Sequence, residues 1–249
     1  MSVITLLWPA LALALLLVFI HALFGLEIIK RGIIFTDLAI GQIAAVGMAV
    51  SVAFFKGTYQ SIWTLSFAVI AALVITFASH RVKHIEAFIG LLYALGISSM
   101  MLILAQSSEG MELFNKLSAA DILFSTQEDV VQALWLYGVI AFVMFVLYPR
   151  LGGLYKKLLF FGALALTVTS SVQNAGVLVV FALLVAPAYA ALSQKRFKPL
   201  YFAWIFGAVN ILIALAISYF FDLPTGYTMI FILVLNALLT VVLLSFKNL

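Results

Sequence analysis

The sequence predicts an all-α fold, a polytopic transmembrane helix bundle of eight or nine spans. Three observations carry that expectation. Of 249 residues, 66% are apolar and only 9% are charged, whereas soluble domains are about half apolar and about a quarter charged. Mean hydropathy is +1.27. Apolar windows of spanning length recur along the whole chain, and nearly all the basic residues fall in alternate gaps between them. A span takes roughly 20 apolar residues, so one transmembrane domain, residues 1–249, fills the length and leaves no room for a separate soluble one.

The windows lie near residues 4–27, 33–55, 61–79, 87–106, 130–148, 158–172, 175–192, 199–221 and 227–246, each bounded by charge, Gly, Pro or amide residues. The first carries no Lys or Arg before Lys30 and runs apolar from Val3 to Phe24 without a small-residue cleavage site. It reads as a span rather than a removed signal peptide. Between the fourth and fifth windows, Gln106 to Asp129 mixes charges with Leu113, Leu117, Ile122, Leu123 and Phe124, the pattern of an amphipathic segment resting on the outer surface. The sixth and seventh windows, on either side of Ser170 to Asn174, are short. They read either as tilted spans or as broken helices meeting inside the protein, which is tolerated only where the freed backbone is buried or lines a cavity.

Charge sets the orientation. If Lys30 and Arg31 face the cytoplasm, strict alternation places Arg81, Lys83, Arg150, Lys156, Lys157, Lys195, Arg196, Lys198 and Lys247 there too, eleven of thirteen bases, with Lys56 and Lys116 outside. That asymmetry favours an outer N-terminus, a cytoplasmic C-terminus and nine crossings. Merging the two short windows into one element gives eight. The net charge of +4 therefore reflects sidedness and not a nucleic-acid partner. With no cysteine the chain has no disulfide framework, thiolate chemistry or Cys-based metal site. It also lacks a GxxxxGK[ST] phosphate loop, so nucleotide hydrolysis, where needed, belongs to another chain.

Ionisable groups inside spans cost several kcal/mol and by default mark a pathway or a site. Here they are few: His21 and Glu27 in the first span and Asp37 in the second, followed by the amide of Gln42. With a rise of about 1.5 Å per residue from the Lys30/Arg31 boundary, His21 sits about 15 Å deep, Asp37 about 9 Å and Gln42 about 16 Å. An imidazole, an amide oxygen and a carboxylate at these depths suit a divalent transition metal, and a permeation site needs only an incomplete, weak set. The alternatives are structural. Asp37 would bond a neighbouring helix or cap a broken one, His21 would meet a backbone carbonyl, and Gln42 would join helices. Glu27, with Lys30 and Arg31 at i+3 and i+4, reads as an interfacial ion pair. His80 and His84 have metal-ligand spacing, yet Arg81 and Lys83 between them would repel a cation, and an interfacial cluster is the better reading. Pro187 kinks or interrupts the seventh window.

Four segments, in order, resemble one family. They are Gly25-Leu26-Glu27-Ile28-Ile29-Lys30-Arg31 with Phe35, Asp37 and Gln42 to Gly47; Glu86-Ala87-Phe88-Ile89-Gly90 with Gly110-Met111-Glu112 and Ala120-Asp121-Ile122-Leu123; Val168 to Val180 with Leu183 to Ala188; and Ser218 to Gly226, which contains Asp222, Pro224 and Gly226. Together they are similar to the integral-membrane permeases of zinc, manganese and iron ABC importers, the ABC-3 family.

The resemblance implies a type II ABC importer permease-like fold in the bacterial cytoplasmic membrane. It also implies a homodimer with an extracytoplasmic metal-binding protein outside and a cytoplasmic ABC ATPase inside. The chain would be a transporter subunit and not an enzyme, with the divalent metal as cargo and no cofactor of its own. The family's Asp and His line the metal path. In this chain Gln42 stands where the family has histidine, Asp37 precedes it by five residues instead of four, and His21 is a candidate for the missing imidazole. The family's acidic coupling loop is reduced to Tyr148-Pro149-Arg150-Leu151-Gly152-Gly153-Leu154-Tyr155-Lys156-Lys157. Either this short basic loop docks on the ATPase, or the chain works as a stand-alone permease for a cation or small metabolite.

Overall fold

The computed structural model describes residues 3–105 and 122–247, with side chains placed for 8–105 and 122–246. Among the described residues there are nine α-helices and no strand: α1 (Val3–Arg31), α2 (Thr36–Phe55), α3 (Gln60–Arg81), α4 (Ile85–Leu104), α5 (Gln127–Val146), α6 (Gly153–Ala175), α7 (Val177–Ser193), α8 (Pro199–Phe221) and α9 (Thr225–Lys247). Two short 3₁₀ turns, Ile122–Phe124 and Tyr148–Arg150, complete the list. The all-α expectation holds. Most of the expected amphipathic stretch, Gln106 to Asp121, including the Gly110-Met111-Glu112 segment, lies outside the described residues.

Among the described residues eight helices are long and apolar enough to cross a membrane, while α7, also apolar, has 17 residues. At about 1.5 Å per residue it reaches roughly 25 Å, short of the roughly 30 Å hydrocarbon core. Eight or nine spans is thus the structural count as well. Of the two windows the sequence marked as short, the sixth lies within α6, which is 23 residues long and a candidate span, and only the seventh, α7, stays short. The outer faces of α5, α8 and α9 leave Trp135, Phe142, Ile205, Leu212, Phe231 and Leu243 exposed, as lipid-facing helices do.

Helix boundaries follow local chemistry. Lys30 and Arg31 occupy the last turn of α1, where positive charge meets the negative end of the helix dipole. Arg31 also donates from Nε and Nη2 to Glu27 Oε1 at 3.0 and 2.8 Å, the expected interfacial ion pair. Gly176 has φ +81°, a backbone that favours glycine, and it separates α6 from α7. Pro187 lies inside α7, which continues past it to Ser193. His80 falls in the last turn of α3, Val82 is extended, and His84 precedes α4, so the two histidines share no helix and the metal-ligand spacing disappears.

The described chain divides into two compact units. One comprises residues 1–32, 119–137 and 174–249; the other comprises 33–118 and 138–173. In the first, α1 packs on α7 and α8, and α9 packs on α7 and α8. Small residues set this spacing: Ala22, Ala188, Ala191 and Ala203 form a buried cluster with Leu26, and Gly25 lies directly against the Leu184 carbonyl. Trp204 Nε1 donates to Phe19 O at 3.0 Å. Asn236 donates to the side-chain oxygen of Asn210, which donates to Phe206 O. This amide pair lines an apolar groove of about 660 Å³ between α8 and α9.

In the second unit α2 packs against both α3 and α4. Ala45, Val46, Met48, Ala49, Met100 and Leu104 form its core. Gly47 meets the backbone of Trp63, where a Cβ would stand 2.5 Å from the carbonyl oxygen. Gly96 of α4 lets the chain approach Gln42 in the same way, with a Cβ placed 3.0 Å from Gln42 Cβ. In lipid no hydrophobic force holds helices together, so this close van der Waals contact does the holding.

Gly47→Ala should lower the thermal stability of the purified protein, because the obstructing atoms are backbone and overpacking costs about 1–3 kcal/mol. Gly162→Ala, whose Cβ would meet nothing within 4 Å, should leave stability unchanged or slightly raised. Thermal-shift size-exclusion chromatography compares the two, and equal stability of both variants would contradict the close α2–α3 packing.

Candidate functional site

Asp37 is the second residue of α2. The preceding turn is held by Thr36, whose hydroxyl donates to Ile33 O at 2.7 Å. The carboxylate faces the N–H groups of Asp37 and Leu38 at the helix start without forming a well-aligned hydrogen bond. The residue is 2% exposed, and neither Oδ1 nor Oδ2 has a partner among the described residues.

Gln42 lies five residues on, which by helical geometry is about 7.5 Å along the axis and about 140° around it. It is 6% exposed, and its Oε1 has no partner. Asp37 and Gln42 therefore lie in one unit on one helix, but they leave it in different directions.

His21 belongs to α1, in the other unit, and is fully buried. Its Nδ1 lies 2.8 Å from Leu17 O. A carbonyl only accepts, so Nδ1 carries the proton and the neutral ring keeps its lone pair on Nε2. That atom is buried without a partner. A ring oriented through one nitrogen with the other free is the usual state of a ligating histidine.

Among the described residues six buried side-chain atoms lack partners, and four of them belong to the three residues the sequence selected: His21 Nε2, both Asp37 oxygens and Gln42 Oε1. The others are Thr169 Oγ1 and Glu86 Oε2. Leaving a buried acceptor unpaired costs about 1–3 kcal/mol, more for a charged group, so such atoms need a reason. No group of three His, Asp or Glu side chains gathers among the described residues.

Glu86 is the residue that sequence reasoning passed over. It is the second residue of α4, and its Oε1 accepts the Phe35 N–H at 3.2 Å, just before α2. Its sequence position beside the His80–His84 cluster suggested an interfacial acid. What would have singled it out is the apolar run that follows immediately, which puts it at a span entrance.

In the first turns of α6, Lys157 Nζ lies 3.2 Å from Ser79 O, 3.3 Å from Ser79 Oγ and 3.5 Å from His80 Nδ1. Lys156 sits over the Tyr148 ring at 4.8 Å. Of the bases expected to meet a partner, Lys157 is thus tied to the end of α3.

Comparison with known proteins gives a consistent picture. Residues 154–245 match the ABC 3 transport family. Over 236 residues the chain is 27% identical to the manganese transport system membrane protein MntC of Listeria monocytogenes, covering 86% of this chain and 81% of that protein. It is 37% identical over 106 residues to a probable iron transport system membrane protein of Haemophilus influenzae, covering 41% of this chain and 38% of that one. The structure of PsaBC from Streptococcus pneumoniae in complex with Fab superposes with a TM-score of 0.78 at 20% identity, over 94% of this chain and 90% of that one, and so shares the fold.

Replacing Asp37 by Asn removes an uncompensated buried charge while preserving shape. The variant should be more heat-stable than wild type by a few degrees, since groups held in unfavourable surroundings for function relax when removed. Differential scanning fluorimetry measures this, and a drop in melting temperature would mean that the carboxylate holds the fold together.

Proposed function

We propose that this chain, whose residues 154–245 match the ABC 3 transport family, is a member of that family and the membrane permease subunit of an ABC importer. Its cargo would be a divalent transition metal: manganese, iron or zinc. The observation that carries the proposal is the Asp37 carboxylate, buried in the first turn of α2 with both oxygens unpartnered. Gln42 Oε1 and His21 Nε2 are further donors without partners, and each offers a lone pair that a metal ion would accept. The names of the Listeria and Haemophilus relatives, manganese and iron, agree with this cargo.

The permease would work as a homodimer of one-domain chains, receiving metal from an extracytoplasmic binding protein and driven by a cytoplasmic ABC ATPase. With the N-terminus outside, eleven of thirteen bases lie on the cytoplasmic side. The chain itself contributes no catalytic group. Its part is to hold the ion weakly enough to release it, with few ligands and none from cysteine.

A stand-alone permease is the second reading, and one observation favours it. The connection from α5 to α6 is short, since α6 already begins at Gly153, and Lys157 in its first turns is engaged with Ser79 and His80. Arg150 and Lys156 remain available for docking, since Arg150 is exposed and Lys156 half-buried.

Cells depending on this chain should lose most of their radiolabelled manganese or iron uptake with Asp37→Asn, and lose it in part with His21→Ala. Unchanged uptake in Asp37→Asn would overturn the site. A tagged chain purified from its native membrane should bring an ABC ATPase with it, and the Arg150→Glu/Lys156→Glu double variant should not. Uptake by proteoliposomes without any ATPase would instead establish the second reading.

A further inference from the structure

We infer that Glu86 is a second carboxylate ligand for the cation, acting with Asp37 where α4 meets the start of α2. This rests on the reading of the chain as a divalent-metal permease.

Both residues belong to the same compact unit, and their helices pack directly on each other. The hydrogen bond from Phe35 N–H to Glu86 Oε1, at 3.2 Å, anchors the Glu86 side chain two residues before Asp37. It uses only one of the two carboxylate oxygens. The carboxylate also faces the Ile34 N–H, but among the described residues Glu86 Oε2 is buried without a well-aligned partner, as are both oxygens of Asp37, and the two acids interact electrostatically. Neither has an ion pair among the described residues, where Arg31 is held by Glu27.

The two like charges repel each other, and among the described residues no base offsets that repulsion; the Phe35 N–H that Glu86 accepts and the helix ends do so in part. Asp37 and Glu86 each stand second in their helices, where the positive end of the dipole favours a negative charge. That partial compensation keeps the pair together when empty. A divalent cation would neutralise both carboxylates at once and take up the three free oxygens. Oxygen donors of this kind suit manganese and ferrous iron better than softer ions.

The competing role for Glu86 is purely structural, as an acceptor for the Phe35 N–H. Glu86→Gln separates the two roles. The amide oxygen still accepts that hydrogen bond, but the charge and the second carboxylate oxygen are gone. The full chain in lipid nanodiscs, titrated with Mn²⁺ and followed by electron paramagnetic resonance of the free ion, should bind at least about tenfold more weakly in Glu86→Gln and in Asp37→Asn, since even groups that only support a ligand typically contribute about 10–100-fold. Glu86→Asp, which keeps the charge, should bind more tightly than Glu86→Gln. Circular dichroism confirms that each variant is folded.

Wild-type affinity in Glu86→Gln would overturn the assignment. If Asp37→Asn still abolished uptake, the permease reading would stand without it. A wild-type chain with no saturable Mn²⁺ binding would also overturn the assignment. Wild-type cells that take up none of the three metals would, as a separate result, overturn the permease reading.

Discussion

Direct backbone contact between helices is the constraint on which the rest of this structure depends. Lipid tails are as apolar as leucine, so a greasy helix face gains little by leaving them. What remains is dispersion and close fit. At Gly25 against Leu184, Gly47 against Trp63 and Gly96 against Gln42, the missing side chain lets one helix reach the main chain of another. These approaches fix where α1 sits against α7 and where α2 sits against α3 and α4. The polar side chains are placed as a consequence: Gln42 lies at the very contact that Gly96 permits, and Asp37 begins the same helix.

Much of this was legible in the sequence. Length and hydropathy mark every span and the shortfall of α7, because membrane thickness imposes one length on all of them, but they underrate α6, whose first turns carry Lys156 and Lys157 and so fall outside the apolar window. The Glu27–Arg31 pair follows from i,i+4 spacing alone. The buried state of His21, Asp37 and Gln42 follows from their place inside apolar runs. Glu86 was not legible in the same way, because its link to Phe35 joins residues 51 apart in the chain and depends on how α2 and α4 pack. Lys157 reaching Ser79 across 78 positions is a case of the same kind. Sequence pattern reports which side chains avoid water; which of them meet is a property of the packing.

The unpartnered atoms give the site its character. An ordinary membrane helix buries its polar groups by turning them back onto its own carbonyls, as Thr76, Thr167, Ser171 and Thr240 do here. Asp37 has no such recourse, since a carboxylate only accepts and carbonyls only accept. Among the described residues its surroundings supply neither a base nor a well-aligned donor, and Gln42 and Glu86 each leave an acceptor open as well. All of these open atoms are lone-pair acceptors, which is the requirement for receiving a cation and the opposite of what would receive an anion.

The Asn210–Asn236 pair has a history written into its chemistry. Asn236 donates to Asn210 Oδ1 while Asn210 Nδ2 donates to Phe206 O, so replacing Asn210 alone strips Asn236 of that acceptor, and replacing Asn236 alone leaves Asn210 Oδ1 without that donor in a mostly apolar groove. Replacing both with leucine removes the need altogether. Descendants of this sequence can therefore keep both asparagines or lose both together, while the intermediate with one carries a penalty that selection would see.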